Sequence, residues 1–191
     1  MPRPDPSAIR NLKSEIPPAA WARIRLFAMD VDGVLTDGTV LISSDGTEAK
    51  SFSILDGHGL RQLGRAGVVV AWISGRASAA TTTRASELGI PHVVQGRPDK
   101  LAVLQDLAAR LGLTGGQCAY MGDDVIDLPA MVWTGIAIAP PGAMPDVLAG
   151  AHVVTHRAGG HGAVREICDH LLAAHAAGAG SKASKGRSQS K

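Results

Sequence analysis

Two aspartates separated by one residue, Asp30 and Asp32, directly follow a short apolar run. Such a run, closed by Gly33, is typical of a buried strand that ends in a turn. Because residues two apart in an extended chain point the same way, we expect both carboxylates to face one small volume. Clustered carboxylates repel each other and are costly to bury without a cation. An oxygen-only set suits Mg2+, although an ordinary acidic turn fits the same two residues.

Further polar groups follow later apolar runs or open a predicted helix. They are Ser74 and Arg76 after 68–73, Lys100 at the start of a helical pattern, and the acidic cluster Asp123, Asp124 and Asp127 after 118–121. Acids can hold a cation, and a hydroxyl and a lysine can hold an anion. A phosphoryl group that bridges Mg2+ to Ser74 and Lys100 satisfies both sets. Phosphate also favours helix N-termini, where Lys100 is predicted to lie.

Apolar strands alternate with helical patterns from residue 24 to residue 174. This alternation predicts parallel pairing, right-handed crossovers and helices on both faces of one sheet. The expected fold is therefore α/β, with a doubly wound, Rossmann-like parallel sheet. Ligands of such sheets bind at the carboxyl ends of the strands. Each polar group named above follows a predicted strand or opens a helix, so we expect all of them at one rim.

A β-hairpin is predicted over residues 38–52, immediately after the first strand. The apolar stretch 39–42, a Ser-Ser-Asp-Gly turn and a short returning run to Phe52 are together typical of a hairpin. Val40, Leu41 and Ile42 have little within the hairpin to pack on, and an isolated two-stranded hairpin is marginally stable in water. We infer that another subunit covers it.

The chain has 191 residues, of which 45% are hydrophobic, enough for one well-cored domain. We expect a Pro-rich N-terminal arm over residues 1–20, a catalytic domain over 21–178, and a basic, disordered tail over 179–191. That tail holds four basic residues and no acid, so it accounts for the formal net charge of +2. The remaining body has a slight acidic excess, which argues against a nucleic-acid partner.

Only two cysteines occur, and both lie in apolar patterns. Cys118 and Cys168 are therefore expected to be buried thiols rather than a disulfide, which fits a reducing compartment. No continuous apolar run is long enough for a signal peptide or a bilayer span. We expect a cytoplasmic protein without a membrane partner.

A carboxylate is the nucleophile that this sequence offers. The chain lacks a Ser-His-Asp set, a Cys/His metal cluster, a Walker-type GxxxxGK and a GxGxxG after a strand. Asp30 can attack phosphorus to give an aspartyl-phosphate, which splits hydrolysis into two easier steps. Asp32 can protonate the leaving sugar oxygen and later deprotonate the attacking water.

In order and spacing, these motifs resemble those of the haloacid dehalogenase superfamily phosphatases. The similarity is closer still to their cap-less branch, the 3-deoxy-D-manno-octulosonate 8-phosphate phosphatases. It spans residues 24–171 and rests on the stretches 30–36, 74–76, Lys100 and 122–127, together with 56–59, 95–96 and 158–166. The four motifs in order form a specific pattern, which none of them forms alone.

The resemblance implies a Mg2+-dependent phosphatase of a sugar-acid phosphate, acting in lipopolysaccharide biosynthesis as a homotetramer built through the hairpin. It implies that Asp30 is the nucleophile and a metal ligand, that Asp32 is the acid/base and binds metal through its carbonyl, and that Asp123 is the third protein ligand. It further implies phosphoryl contacts from Ser74 and Lys100, a steadying role for Asp124 and Asp127, and substrate contacts from Asp32, Asp56, Gly57, Arg61, Arg76, Arg84, Lys100 and Asp124.

Two positions depart from the pattern typical of that branch. Leu55 and His161 stand where its members typically have arginine. The substrate could therefore be a related sugar acid, such as a 9-phosphorylated nonulosonate. Two other classes share part of the motif set: a signalling receiver domain with a phosphorylated aspartate, and a non-catalytic assembly module. Steady release of phosphate would separate the enzyme from both.

Overall fold

The protein is described by a computed structural model that covers residues 10–11 and 16–187, with side chains over 16–178. The strands are β1 (Arg10–Asn11), β2 (Leu26–Met29), β3 (Leu41–Ile42), β4 (Glu48–Ala49), β5 (Val69–Ile73), β6 (His92–Val94), β7 (Cys118–Met121), β8 (Ile136–Ala139) and β9 (Val153–Val154). The α-helices are α1 (Pro18–Trp21), α2 (Ile54–Arg65), α3 (Ala79–Leu88), α4 (Lys100–Arg110), α5 (Leu128–Trp133), α6 (Pro145–Gly150) and α7 (Ala163–Arg187).

Seven strands form the central sheet, in the order β1-β9-β8-β7-β2-β5-β6. All neighbouring pairs are parallel except β1 and β9, which are antiparallel. The doubly wound α/β fold predicted from the sequence is thus confirmed. The antiparallel edge strand was not predicted, and it attaches residues 10–11 of the expected N-terminal arm to the sheet.

The strands at the centre of the sheet are buried on both faces, as parallel sheets covered by helices require. In β2, Phe27 and Met29 belong to one hydrophobic cluster, whereas Leu26 and Ala28 belong to the other. Each cluster packs under the helices of its own face. The sheet therefore lies between two apolar layers, which fix the ends of its strands.

Register brings the carboxyl ends of the central strands level. Met29 at the end of β2 pairs with Trp72 of β5 and with Met121 of β7. The amide of Asp30 then donates to the carbonyl of Met121, at 2.9 Å. Residues that follow these three strands consequently meet at one rim.

The predicted hairpin is present as β3 and β4, with Leu41 opposite Ala49. Helix α7 was predicted to end near residue 174 but continues to Arg187, across most of the segment expected to be a disordered tail. Alanines at 173, 174, 176 and 177 favour the helix as far as residue 177, but helix propensity does not explain its continuation through Gly178, Gly180 and Gly186. Residues 188–191, and most of the arm, lie outside the described residues. Within the described part of the chain, no helix is long and apolar enough to cross a membrane.

Candidate active site

Three carboxylates converge at the rim of the sheet. Asp30 follows β2, and Asp123 and Asp127 follow β7; one oxygen from each lies within 4.8 Å of the others. Asp30 and Asp127 are buried, with 5% and 0% of their surface exposed. The sequence prediction that acids after these two strands meet is thus confirmed for Asp30 and Asp123.

Lys100, the first residue of α4, is the cation of this cluster. Its Nζ donates to Asp30 Oδ2 at 2.8 Å and to Asp127 Oδ1 at 2.7 Å, and its side chain is fully buried. Burial alone would lower the pKa of Lys100, but the two carboxylates raise it, so the group stays charged. One ammonium faces three acids, so negative charge remains in excess.

Burial and this excess of negative charge raise the pKa values of two of the acids. Burial, followed by the neighbouring Asp127, raises the pKa of Asp30 to about 6. Burial, followed by Asp30, raises the pKa of Asp123 to about 7. Lys100 opposes both shifts without cancelling them. The site therefore holds its carboxylates in their charged form only at a cost that a further cation would remove.

Asp123 supplies a second indication of a cation. Its Oδ1 is buried and has no hydrogen-bond partner among the described residues. By contrast, Asp127 uses both oxygens: Oδ1 accepts from Lys100 and from the Tyr120 hydroxyl, and Oδ2 accepts from the amides of Asp123 and Asp124. Asp30 and Asp123 thus fit a hard cation such as Mg2+, whereas Asp127 orders the loop that carries Asp123.

Asp32 has a different ionic partner from Asp30. Its Oδ1 accepts from Lys50 Nζ at 2.6 Å, whereas Asp30 contacts Lys100. The strand ends at Met29, and the chain then turns, with the three successive amides of residues 34–36 donating to the carbonyl of Val31. The two-residue alternation of an extended chain does not continue through such a turn. Strand alternation therefore does not set the direction of the Asp32 side chain, and whether both carboxylates face the substrate stays a prediction.

Glycines allow the loops around the site to approach closely. Gly33 has φ +89°, and a Cβ there would lie 1.9 Å from Asp123 Oδ2. A Cβ at Gly159 would lie 1.9 Å from the carbonyl oxygen of Gly33. Any larger residue at either position would push the 30–36 loop away from its neighbours.

Ser74 and Arg76 lie at the same rim, after β5. Ser74 is buried, and its Oγ accepts from the Arg76 amide at 3.1 Å. The Arg76 guanidinium is half exposed and donates to Glu48 of the hairpin at 2.8 Å. The hairpin thus closes over the side of the rim where Arg76 was expected to meet substrate.

Five further residues with predicted substrate contacts have surroundings within this chain that the structure describes. Asp56 accepts from the amides of Gly162 at 3.2 Å and Arg165 at 2.7 Å. Both amides belong to the start of α7, where free N–H groups attract a carboxylate. Asp56 is thus a buried cap of α7, and its contact with substrate stays a prediction. Gly57 lies under Arg84, since a Cβ at that position would come within 2.6 Å of Arg84 Nη2.

Arg84, Arg61 and Asp124 lie outside the cluster of three carboxylates, and their substrate contacts stay predictions. Arg84 donates to Glu87 and to the carbonyl of Ser53. Arg61 lines a cavity formed by the end of α2, the start of β5 and the end of α3, at the opposite edge of the sheet. Asp124 is exposed, and its Oδ1 accepts from the amide of Val125. The Arg84–Glu87 pair and the Asp124–Val125 bond are local, whereas the contact of Arg84 with Ser53 spans 31 residues of chain.

Sequence reasoning missed Lys50, Glu48 and the part played by Tyr120. Tyr120 lies within a uniformly apolar run, so nothing marked its hydroxyl as a partner of Asp127. Glu48 and Lys50 are two residues apart on the returning strand of the hairpin. That spacing places both side chains on one side of the strand. It is the feature of the sequence from which their joint position could have been predicted.

Comparison with known proteins gives a consistent set of relatives, although no family model matches the chain. The 3-deoxy-D-manno-octulosonate 8-phosphate phosphatase of Yersinia pestis is 45% identical over 153 residues, 80% of this chain and 82% of that protein. The protein of the same name from Escherichia coli K12 is 43% identical over 151 residues, 79% of this chain and 80% of that protein.

Solved structures agree. The phosphatase of that name from Moraxella catarrhalis, in complex with magnesium, phosphate and a KDO molecule, has a TM-score of 0.82 and 44% identity, covering 83% of this chain and 91% of that one. The cobalt-bound enzyme from Haemophilus influenzae has a TM-score of 0.79 and 38% identity, covering 82% of this chain and 92% of that one.

Proposed function

Because this chain belongs to the 3-deoxy-D-manno-octulosonate 8-phosphate phosphatase family of the haloacid dehalogenase superfamily, we propose that it is a Mg2+-dependent phosphatase of that sugar-acid phosphate. The observation that carries the proposal is the cluster of Asp30 and Asp123, whose raised pKa values and unpaired Asp123 oxygen call for a cation. Lys100 lies beside them to receive the phosphoryl group.

Asp30 and Asp123, with the backbone carbonyl of Asp32, would hold the ion. When bound, Mg2+ supplies positive charge that offsets the repulsion between the Asp30 carboxylate and a phosphate dianion. Asp127 keeps the Asp123 loop in place, and Lys100 adds the second positive charge that faces the phosphoryl oxygens.

Asp30 attacks phosphorus through a carboxylate oxygen, and the bond to the sugar oxygen breaks. Asp32 donates its proton to that leaving oxygen, which gives the free sugar acid and an aspartyl-phosphate. Asp32 then removes a proton from water as the water attacks phosphorus, which restores Asp30 and releases phosphate. Ser74 and Lys100 hold the phosphoryl oxygens through both steps.

Mg2+ should stabilise the protein far more at about pH 8 than at about pH 5. Burial raises the pKa values of Asp30 and Asp123 to about 6 and about 7, so without metal the folded state binds extra protons and loses stability as the pH rises through this range. Mg2+ binds the deprotonated pair and removes that cost. Thermal melts with Mg2+ or EDTA at both pH values test this, and an equal shift at both would contradict it.

The substrate is tested by the release of phosphate from a panel of sugar-acid phosphates, with and without Mg2+. We expect kcat/KM to be highest for 3-deoxy-D-manno-octulosonate 8-phosphate. A 9-phosphorylated nonulosonate is the competing substrate, because Leu55 and His161, both exposed, replace the arginines typical of the family. A higher kcat/KM for the nonulosonate would move the assignment to that sugar acid.

The hairpin supports a homotetramer. Leu41 and Ile42 are 66% and 65% exposed, although they form the apolar strand of a two-stranded sheet. Burying both against other copies would remove this surface from water. We expect the double variant Leu41→Asp, Ile42→Lys to dissociate into smaller species by light scattering, while Asp45→Asn in the exposed turn leaves the assembly unchanged. A wild-type protein that is monomeric at working concentration would contradict the proposal.

A cytoplasmic location and a part in lipopolysaccharide biosynthesis complete the proposal. Both cysteines are buried and free, which fits a reducing compartment.

A further inference from the structure

Lys50 is buried against the acid that the mechanism uses for proton transfer. It follows β4 directly, and its Nζ lies 2.6 Å from Asp32 Oδ1, with none of its side chain exposed. Ordering and desolvating a lysine is costly, so a fully buried one needs a compensating contact. Asp32, itself only 20% exposed at its side chain, provides that contact.

Glu48 fixes the place from which Lys50 reaches Asp32. The Ser78 hydroxyl donates to Glu48 Oε1 at 2.6 Å, and Arg76 donates to Oε2 at 2.8 Å. Lys50 Nζ lies 3.8 Å from the same Oε1. The returning strand of the hairpin is thereby fastened to the start of α3, so that Lys50 projects towards Asp32 from a fixed strand.

The two oxygens of Asp32 have different surroundings. Lys50 occupies Oδ1, whereas Oδ2 accepts no hydrogen bond from the described residues. A carboxyl group that must give and then take a proton needs one oxygen free of other donors. Holding the other oxygen in a strong, charge-assisted hydrogen bond keeps the group in one orientation.

We propose that Lys50 is a positioning residue, which holds Asp32 by Oδ1 so that Oδ2 exchanges the proton with the leaving sugar oxygen. This inference rests on the proposed phosphatase function and deepens it. The hairpin, needed for assembly, thereby also completes the acid/base side of the site. Lys50 itself does not touch the reacting atoms in this arrangement.

Two substrates with different leaving groups distinguish a positioning role of Lys50 in proton transfer from a general effect of Lys50 on the structure of the site. An alkyl sugar oxygen leaves poorly without a proton, whereas p-nitrophenolate leaves well without one. The ratio kcat/KM reports only the steps up to departure of the leaving group. We expect Lys50→Met to lower kcat/KM about 30-fold for 3-deoxy-D-manno-octulosonate 8-phosphate and less than about 5-fold for p-nitrophenyl phosphate.

Controls make the result specific. Lys50→Arg, which can still donate to Asp32, should keep both values within about 5-fold of wild type. Arg110→Met, which removes an exposed cation paired with Asp106, should leave both unchanged. Lys50→Ala, which also has no side-chain donor, replaces the methionine variant if thermal melts show that the latter does not fold.

The outcomes distinguish a failure of the Lys50 proposal from a failure of the proposed phosphatase function. An equal loss on both substrates, or no loss on either, overturns the positioning role of Lys50 while the phosphatase assignment stands. A wild-type protein that releases phosphate from neither substrate overturns the proposed function itself.

Discussion

Asp30→Asn is expected to reduce phosphate release by at least about 10,000-fold, with the protein still folded. The amide has almost the same shape as the carboxylate but cannot attack phosphorus. It also removes one negative charge from a cluster whose burial already raises the pKa of Asp30 to about 6. Without metal, the variant should therefore melt at the wild-type temperature or above. Steady-state phosphate release and thermal melts in EDTA measure both effects.

Asp106→Asn is the matched control. Asp106 is an exposed carboxylate on α4 that pairs with Arg110, and its loss should leave turnover within about 2-fold of wild type. Phosphate release by Asp30→Asn within about 10-fold of wild type would remove Asp30 from the nucleophile position.

Lys100→Met is expected to cost both activity and stability. Its ammonium is the one charge-assisted donor that bonds both Asp30 and Asp127 among the described residues, and all of its side chain is buried. Removing one partner of a buried ion pair leaves uncompensated charge and typically costs about 3–5 kcal/mol. Bound Mg2+ supplies positive charge beside Asp30, so the loss should be larger in EDTA than in Mg2+. Urea unfolding under both conditions measures the difference.

A second substitution shows whether charge is the cause. Adding Asp127→Asn to Lys100→Met removes one of the stranded carboxylates, so part of the lost stability should return in EDTA. If the single variant is as stable as wild type in EDTA, the described charge balance is wrong. Turnover should stay low in both variants, because we propose that Lys100 also binds the phosphoryl group.

The rim of the site was predictable because register follows from strand position. Asp30 and Asp123 each come just after a buried strand, and the pairing of Met29 with Met121 brings them level. The identity of the helix-opening Lys100 was also visible in the sequence. Local pattern therefore placed at one rim the three residues Asp30, Asp123 and Lys100, to which the proposed function gives the roles of nucleophile, metal ligand and phosphoryl-binding group.

Contacts that depend on distant packing were not predictable in the same way. Asp56 caps a helix whose amides are 106 and 109 residues further along the chain, and no spacing rule connects them. Asp32 lies in a turn, where strand alternation no longer sets side-chain direction. The contact between Lys50 and Asp32 depends on the docking of the hairpin on the start of α3, which Glu48 makes through Ser78.

The ion itself gives the most direct test of the account. Crystals grown with Mn2+ in place of Mg2+ would locate it by anomalous scattering. We predict a single strong peak at the rim, in contact with the carboxylates of both Asp30 and Asp123. A peak that touches neither carboxylate, or an empty rim at saturating Mn2+, would contradict the account.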